Sequence, residues 1–383
     1  MGKILMWIID RYLLRQFLKT FFICFISVTG IYIVFDAFAN LDDFMRAAEK
    51  RGSLVSLMGW YYAYRSILFF DLTGALLTLT AAMFTATWIQ RHNELTALMA
   101  AGVSRVRVIT PVLAAAVTII LLAAANRELV IPRCRSELTK WPRDLVGGVA
   151  REMQFRYDNQ TDILIRGKAT YADEQKIDKP DFLLPLPLTD YGTQLAAAAA
   201  FYKPPERGRP GGYLMEGVEQ PKDLDAAPSL RLNGDAVIIT PRDAPDWLKP
   251  GQCFVVSEVT FEQLAESAGF RSYSSLMGLI KGLRNPSLDF GADVRVAIHA
   301  RLVQPFLDVT LLFLGLPLVL ARQSRNVFLA IGLCGVVVAV FSLVVIGFQY
   351  LGSASLLSPA FAAWAPLILF VPMAVALAES MWE

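Results

Sequence analysis

The sequence predicts a membrane α-helical bundle of six transmembrane helices, three before and three after an inserted β-domain. The first observation behind this prediction is composition: 55% of the 383 residues are hydrophobic and 18% are charged, against about 25% charged in a typical soluble domain. The second is distribution: 44 of the 70 charged residues (36 Lys or Arg and 34 Asp or Glu) lie between positions 133 and 297. A water-soluble middle between two apolar flanks excludes a simple soluble enzyme, a disordered chain and a secreted disulfide scaffold.

The apolar flanks contain six segments that are long enough to cross a bilayer, which takes about 20 mostly apolar residues. We predict helices at about 17–39, 66–90, 108–126, 302–321, 326–350 and 358–378. The last two form one uncharged stretch, which the Gly, Ser and Pro residues at 352–359 divide. The predicted division of the chain is therefore residues 1–132, 133–297 and 298–383.

The short loops give the predicted orientation, because Lys and Arg concentrate in cytoplasmic loops. The short loops on the side opposite the termini carry four such residues, Arg46, Lys50, Arg51 and Arg65. The side that holds both termini carries nine: Lys3, Arg11, Arg15, Lys19, Arg91, Arg105, Arg107, Arg322 and Arg325. We therefore expect both termini in the cytoplasm and residues 133–297 outside. Residues 3–16 are expected to form either an amphipathic helix on the inner leaflet or a basic anchor for the first helix.

The middle of the chain has the pattern of an antiparallel β-fold. Short alternating runs occur at 162–166, 236–240 and 253–261, separated by clusters of Pro, Gly and Asp. Many short strands with such turns predict a sandwich or jelly roll. A helix is predicted after them, from an N-cap at Ser274 to Leu283, with Met277, Ile280 and Leu283 along one face.

The sequence contains no motif for catalysis or metal binding. The two histidines, His92 and His299, fall in different loops, and no zinc-ligand spacing, H-E-x-x-H, P-loop or G-x-S-x-G sequence is present. We therefore predict no catalytic residue, no metal and no cofactor in this chain, with a membrane enzyme of unfamiliar design as an alternative. Cys134 and Cys253 share the outer side, where a disulfide is permitted but is not the favoured prediction; Cys24 and Cys334 are expected to act as small apolar residues in membrane helices.

Several charged residues are predicted to lie at the outer membrane face. Asp71 and Asp308 interrupt apolar runs near the outer ends of their helices. We favour pairing with Arg65 and Arg301, or headgroup contact, over a proton relay. The arginines of this region suit an anionic lipid because guanidinium matches phosphate geometry, with ordinary headgroup contact as the alternative. The candidate lipid-binding residues are Arg65, Arg127, Arg133, Arg135, Arg301, Asp71 and Asp308.

The loop between the second and third helices predicts a short helix over 94–101. Asn93 is a good N-cap, Glu94 suits the first turn, and Gly102 suits the position after the helix. Such a short helix needs a surface to pack on. The apolar side formed by Leu95, Leu98 and Met99 is expected either to pack on the chain's own helix ends or to enter a groove on a cytoplasmic protein.

With these motifs in place, the sequence resembles the LptF/LptG permeases of the lipopolysaccharide export ABC transporter along nearly its whole length. The resemblance rests on four segments in order: Asp10-Arg11-Tyr12, Arg91-His92-Asn93-Glu94-Leu95, Ala100-Ala101-Gly102-Val103-Ser104-Arg105 and His299-Ala300-Arg301-Leu302-Val303-Gln304-Pro305. It does not distinguish the F-type subunit from the G-type subunit.

The resemblance implies a multi-pass protein of the inner membrane with a periplasmic β-jelly roll. It implies a paralogous permease subunit, an LptB-like ATPase dimer that uses ATP and Mg²⁺, and LptC-like and LptA-like periplasmic proteins that receive lipopolysaccharide. It implies no nucleic acid partner. The short helix corresponds to the family's coupling helix, for which the candidates are Glu94, Leu95, Leu98, Met99, Gly102 and Arg105. The alternatives are export of another lipid or glycolipid by the same machinery, and a membrane scaffold that binds a periplasmic partner without transport.

Overall fold

The structure is a computed structural model. It describes residues 2–146, 150–153, 155–171, 174–206, 209–222, 224–232, 234–264, 272–285, 287, 291–321 and 327–379. Arg322 and Arg325, which contributed to the predicted orientation, lie outside the described residues. So do the side chains of Lys3 and Cys334.

Helices occupy both ends of the chain. Before the β-domain they are α1 (Gly2–Ala39), α2 (Leu41–Arg51), α3 (Leu54–Arg91), α4 (Glu94–Ala100), α5 (Arg105–Ala125) with a π-helical turn at Asn126–Val130, and α6 (Arg135–Leu138). A 3-10 turn at Pro142–Val146 follows. Beyond the strands they are α7 (Phe261–Leu264), α8 (Leu276–Leu283), α9 (Ala292–Ala321), α10 (Val327–Ser353) and α11 (Pro359–Glu379).

Six of these helices are long and apolar enough to cross a membrane, within the described ranges. The spans are Ile8–Ala39, Leu54–Arg91, Arg105–Val130, Ala292–Pro317, Gly335–Ser353 and Pro359–Glu379. They pack as one bundle with a shared core drawn from both halves of the chain. Large apolar side chains on the outside of α1, α3, α10 and α11 remain exposed, as the surface of a membrane protein requires. The predicted three-plus-three arrangement is confirmed.

The bundle has two ends, a β-domain end and a terminal end. The β-domain end holds the close of α1 and α5 and the start of α3, α9 and α11. The terminal end holds α4 and the first and last described residues of the chain. Small residues allow close helix contact between the halves: a Cβ at Gly315 of α9 would lie 2.6 Å from Leu79 Cδ1 of α3.

Two membrane helices extend further than predicted. The helix predicted at 66–90 begins at Leu54, and the helix predicted from 302 begins at Ala292. The prediction followed the uninterrupted apolar run, whereas the backbone continues as helix beyond it. The helix α2 was missed because Leu41–Arg51 is amphipathic. Its Phe44 is fully buried against Tyr61 and Tyr62 of α3.

The N-terminal segment continues directly into the first membrane helix. Residues 3–16 belong to α1, and Leu13 and Phe17 are 1% and 0% exposed in the bundle core. Of the two predicted alternatives, the structure therefore favours the anchor of the first helix over a separate helix on the membrane surface.

The middle of the chain is an antiparallel β-domain. Its described strands are β1 (Arg151–Glu152), β2 (Arg156–Asp158), β3 (Ile163–Ile165), β4 (Ala169–Tyr171), β5 (Lys176–Asp178), β6 (Asp181–Leu183), β7 (Gln194–Lys203), β8 (Gly212–Gln220), β9 (Leu230–Leu232), β10 (Asp235–Ile239) and β11 (Gln252–Val256). They pair in the order β1-β4-β5-β7-β8-β11-β10-β9, and a branch of β2, β3 and β6 joins at β7.

The sheet divides at the long strand β7, which pairs with two strands along one edge. Along one edge, Gln194 to Ala196 pairs with β6 and Ala199 to Phe201 pairs with β5, while the other edge pairs with β8. Ile165 and Phe182 of the branch and Val255 of the main strand order are buried in one core, so the two parts of the sheet enclose a common interior as in a sandwich. The predicted inserted antiparallel β-domain is confirmed.

The helix that leads back to the membrane differs in detail from the prediction. The N-cap is Ser275 rather than Ser274, and its Oγ accepts a hydrogen bond from the Gly278 backbone N–H. Leu279 is the buried side chain of α8, whereas Met277 is 63% exposed, so the predicted apolar face was wrong.

Candidate functional site

The loop between α3 and α5 forms the predicted short helix at the terminal end. α4 ends at Ala100, one residue before the prediction. The Gly102 backbone has φ of 81°, which favours glycine. The N–H of Gly102 donates to Met99 O at 2.9 Å and that of Val103 donates to Leu98 O at 3.0 Å. This pair of bonds is a Schellman motif, so the predicted role of Gly102 in ending the helix is confirmed.

The beginning of α4 departs from the prediction. Asn93 holds the N-cap position with φ of 58°, in the left-handed region, and its side chain makes no capping hydrogen bond. The expected side-chain cap was therefore wrong. The turn instead redirects the chain abruptly after α3, so that α4 lies across the terminal end of the bundle.

The apolar side of α4 faces the chain's own bundle. Leu95 is 9% exposed and shares the core with Ala86 and Ile89 of α3 and Val108 of α5. Leu98 and Met99 pack partly buried against the same core. Of the two predicted alternatives for these three side chains, packing on the helix ends is the one observed. The exposed positions of the loop are His92, Asn93, Thr96, Ala97, Ala100, Ala101, Gly102 and Ser104.

Polar contacts tie α4 and α5 to the first helix. The Tyr12 hydroxyl lies 3.2 Å from each carboxylate oxygen of Glu94. Arg107 Nη2 of α5 donates to Asp10 Oδ2 at 2.6 Å. Since α4 joins α3 to α5, these contacts connect three membrane helices at one end. A displacement of α4 would therefore be shared among them.

Two further contacts order the edges of α4. Arg105 Nε lies 3.3 Å from the Met99 sulfur. The His92 ring stacks on Trp88 with centroids 4.2 Å apart, and its Nδ1 lies 2.9 Å from Trp88 O. All six predicted coupling residues therefore belong to a single ordered loop, and sequence reasoning missed Tyr12 and Asp10 as its partners.

A second polar site lies at the β-domain end, around the π-helical turn after α5. Arg127 Nε donates to both carboxylate oxygens of Asp71 on α3, at 2.9 and 3.1 Å. The adjacent Asn126 donates from Nδ2 to Ile67 O at 3.0 Å. The wider turn makes two consecutive polar side chains face α3, which ties the end of α5 to α3.

The next residue of the turn, Glu128, holds the segment that returns from the β-domain. Its Oε2 accepts from the Leu276 backbone N–H at 2.7 Å, at the start of α8. Arg301 of α9 lies 3.8 Å from Glu128 Oε1 and donates to the backbone oxygens of Ser272 and Ser274. Both chain connections between bundle and β-domain therefore meet at Glu128.

Asp308 lies deeper on α9 and accepts from Gln304 Nε2 at 2.8 Å. The predicted partners were wrong: Asp71 pairs with Arg127 rather than with Arg65, and Arg301 pairs with Glu128 rather than with Asp308. The reason is that α3 and α5 pack side by side, which places the first residues after α5 opposite Asp71.

The remaining candidate arginines lie around this network. Arg65 donates from Nε to the Tyr61 hydroxyl and from Nη2 to Lys140 O, both at 3.1 Å. Arg133 is exposed in the turn before α6, and Arg135 begins α6 half-buried. The structure thus brings Arg127 and Arg301 together with two acids, Asp71 and Glu128. It leaves Arg65, Arg133 and Arg135 around them.

The described residues contain no cluster of His, Cys, Asp and Glu that could hold a metal ion. The thiols of Cys134 and Cys253 are both free. Cys253 is fully buried in β11, and burial raises the pKa of its thiol.

The sequence was compared with known proteins. The family model described as "Lipopolysaccharide export system permease LptF/LptG" matches residues 11–179 and 224–380. These two ranges include the polar sites except Asp10, and the six candidate membrane spans except residues 8–10 of the first. The stretch between them contains β6, β7 and β8. No curated protein sequence matches the chain.

Proposed function

Because the chain belongs to the LptF/LptG family of lipopolysaccharide export permeases, we propose that it is one of two permease subunits that extract lipopolysaccharide from the outer leaflet of the inner membrane. The family is one of transport subunits that are not themselves catalytic. In the proposed transporter a separate LptB-like ATPase dimer binds ATP and Mg²⁺, and the second permease subunit is a paralogue of this chain. The β-domain passes the lipid to LptC-like and LptA-like proteins in the periplasm.

The observation that carries this proposal is the attachment of α4. Its apolar side is bound to the core and its carboxylate Glu94 to Tyr12, so the helix is rigidly joined to the bundle. Its exposed side carries small residues such as Ala97 and Ala100, which permit close approach of another protein. We place the ATPase against this exposed side, with both termini in the cytoplasm.

A mechanical path runs from α4 to the β-domain. α3 has 38 residues and is about 57 Å long at 1.5 Å per residue. At one end it leads into α4, and about halfway along it is joined through Asp71 to Arg127. The neighbouring Glu128 holds the start of α8. A shift imposed on α4 by ATP binding would therefore reach the connections to the β-domain through packed helices and ion pairs.

The two polar sites have different proposed roles. Arg127 and Arg301 face the acids Asp71 and Glu128, and their side chains are 24% and 12% exposed. We assign them to holding the β-domain connections. Arg65, Arg133 and Arg135 are the proposed contacts for an anionic headgroup, since a guanidinium remains charged at any physiological pH.

The test is to purify the chain with its partners from native membranes, once as wild type and once with Ala97→Trp. Wild type should retain an ATPase, a paralogous permease and lipopolysaccharide. Ala97→Trp should lower ATPase retention, because the indole occupies the exposed side of α4. The matched control is Ala63→Trp, which makes the same change at an exposed position of α3 near the β-domain end.

The alternatives predict other outcomes. A different bound lipid would identify another cargo of the same machinery. A complex with a periplasmic protein but no ATPase would support the scaffold and contradict transport. Equal ATPase retention by Ala97→Trp and wild type would contradict the assignment of α4 as the docking surface.

A further inference from the structure

A pocket of about 490 Å³ lies beside the first turns of α3 at the β-domain end. Its lining includes three aromatic rings, one cation, one anion and a hydroxyl: Trp60, Tyr61, Tyr64, Arg65, Glu137 and Ser56. Volumes of about 300–1,000 Å³ are usual for small-molecule sites. The pocket is separate from the pairs of Asp71, Arg127 and Arg301.

The aromatic wall is ordered rather than a set of independent side chains. Trp60 and Tyr64, one helical turn apart, have ring centroids at 6.3 Å and planes inclined by 30°. Trp60 is 67% exposed, so this platform is open to a ligand. Arg65 lies over the Tyr61 ring at 5.2 Å, and its two hydrogen bonds to Tyr61 and Lys140 fix the plane of the guanidinium.

The height of the pocket indicates what it can hold. The lining residues of α3 extend from Ser53 to Arg65, a rise of about 18 Å. With 38 residues this helix is about 57 Å long and exceeds the hydrocarbon core of roughly 30 Å, so we place its charged Arg65 at the membrane surface and Ser53 above it. The polar headgroup layer on one side of a bilayer is about 5–8 Å thick. The pocket is therefore more than twice as tall as a phospholipid headgroup layer.

The chemistry of the lining matches a carbohydrate. A sugar ring presents apolar C–H groups on its faces and hydroxyls around its edge. The rings of Trp60 and Tyr64 offer an apolar surface with polar edges, and Ser56 and Glu137 offer hydrogen-bonding groups beside it. Glu137 is held by Lys140 Nζ at 2.7 Å, so the carboxylate is oriented before a ligand arrives. Arg65, at the membrane end, suits an anionic substituent close to the lipid.

We propose that this pocket binds the oligosaccharide that the exported glycolipid carries beyond its acylated disaccharide, with a sugar ring on the Trp60–Tyr64 platform, while the acyl chains are still in the bilayer. The inference rests on the proposed export function and adds a second contact region to it. It assigns recognition of the sugar to the first turns of α3. It also assigns to Arg65 the binding of the anionic group nearest the membrane.

The test measures lipid retained by the purified complex with its ATPase and paralogous permease. Two probes are used: lipopolysaccharide that carries a core oligosaccharide, and its acylated phosphorylated disaccharide alone. Trp60→Ala should lower retention of the first by about tenfold, roughly the loss of one good contact, and leave the second unchanged. Ser56→Trp, which fills the pocket without removing a lining ring, should have the same selective effect.

The matched control is Trp364→Ala, since Trp364 is also an exposed tryptophan near the β-domain end of a membrane helix. It should change retention of neither probe. Equal loss of both probes in Trp60→Ala would overturn the saccharide assignment, and so would wild-type retention in both Trp60→Ala and Ser56→Trp. Failure of the wild-type complex to retain either probe would instead contradict the export function itself.

Discussion

Arg127, in the π-helical turn that ends α5, donates from Nε to Asp71 of α3 at 2.9 Å. The Asp71 side chain is 10% exposed and that of Arg127 is 24% exposed. The pair fastens the end of α5, which leads into the β-domain, to the middle of the 38-residue α3. Glu128, the next residue, then holds the returning chain. One short turn thus secures both connections between membrane and β-domain.

Asp71→Asn should destabilise the protein markedly. Removing one partner of a buried ion pair leaves the other charge uncompensated, at a cost of about 3–5 kcal/mol. The double variant Asp71→Asn with Arg127→Gln should recover part of that loss, because no charge is left unpaired between these positions. The measurement is thermal unfolding of the detergent-solubilised protein.

The control for this prediction is Arg46→Gln. Arg46 lies 3.9 Å from Asp43 with its side chain 70% exposed, and exposed pairs contribute little. A decrease in stability for Arg46→Gln as large as that for Asp71→Asn would contradict the distinction between the two sites.

Gly352→Ala should separate the ends of α10 and α11. A Cβ at this position would lie 2.4 Å from Ala362 Cβ and 2.9 Å from Val296 Cγ2. Since the Ala362 Cβ cannot rotate away, the helices must move, at a cost of about 1–3 kcal/mol. Thermal unfolding measures this cost. Adding Ala362→Gly should restore stability, whereas Gly347→Ala on the same helix meets nothing within 4 Å and should be close to neutral.

Gly102→Ala should loosen the end of α4 without a steric clash. Nothing lies within 4 Å of a Cβ built there, but φ is 81°, and a left-handed conformation costs a side-chain-bearing residue about 1–3 kcal/mol. Amide hydrogen exchange of residues 93–104 should accelerate, most of all at Val103. Gly102→Asn should have a smaller effect, since Asn tolerates this conformation better. Unchanged exchange in Gly102→Ala would argue against the strain.

Glu94→Lys should reduce ATPase retention more than Tyr12→Phe. The lysine removes the acceptor of the Tyr12 hydroxyl and places a cation in the first turn of α4, where the helix dipole disfavours it. Tyr12→Phe loses one exposed hydrogen bond, while Asp10 and Arg107 still join α1 to α5. Co-purification of the ATPase with each variant gives the ranking. The reverse order would show that the tyrosine hydroxyl, rather than the carboxylate, positions α4.

Cys134 and Cys253 should differ in reactivity in the native protein. The thiolate is the reactive form, and burial both shields Cys253 and raises the pKa of its thiol. Iodoacetamide at pH 8 should therefore modify Cys134, which is half-buried, and reach Cys253 only after unfolding. Peptide mass spectrometry reads both sites. A Cys134–Cys253 disulfide would leave both unmodified until reduction, in conflict with the free thiols of the structure.

The sequence by itself determined the six membrane helices, the inserted β-domain and the α4 helix. Each depends on a local pattern: an apolar run, an alternating run, or a helix followed by Gly102. Such patterns determine secondary structure through neighbouring residues, so they can be recognised without knowledge of the fold. The amphipathic α2 and the first turns of α3 were not found, because neither is apolar enough to stand out.

Only the tertiary structure decided which polar groups meet. Asp71 and Arg127 are 56 positions apart, and Tyr12 and Glu94 are 82 apart. Arg65 is closer to Asp71 in sequence, yet it binds Tyr61 and Lys140 instead. A partner at this separation depends on how α3 and α5 pack and on the rotation of each helix. The packing and the rotation of the helices are set by the whole core. They cannot be predicted from the composition of one helix or from the spacing of residues along it.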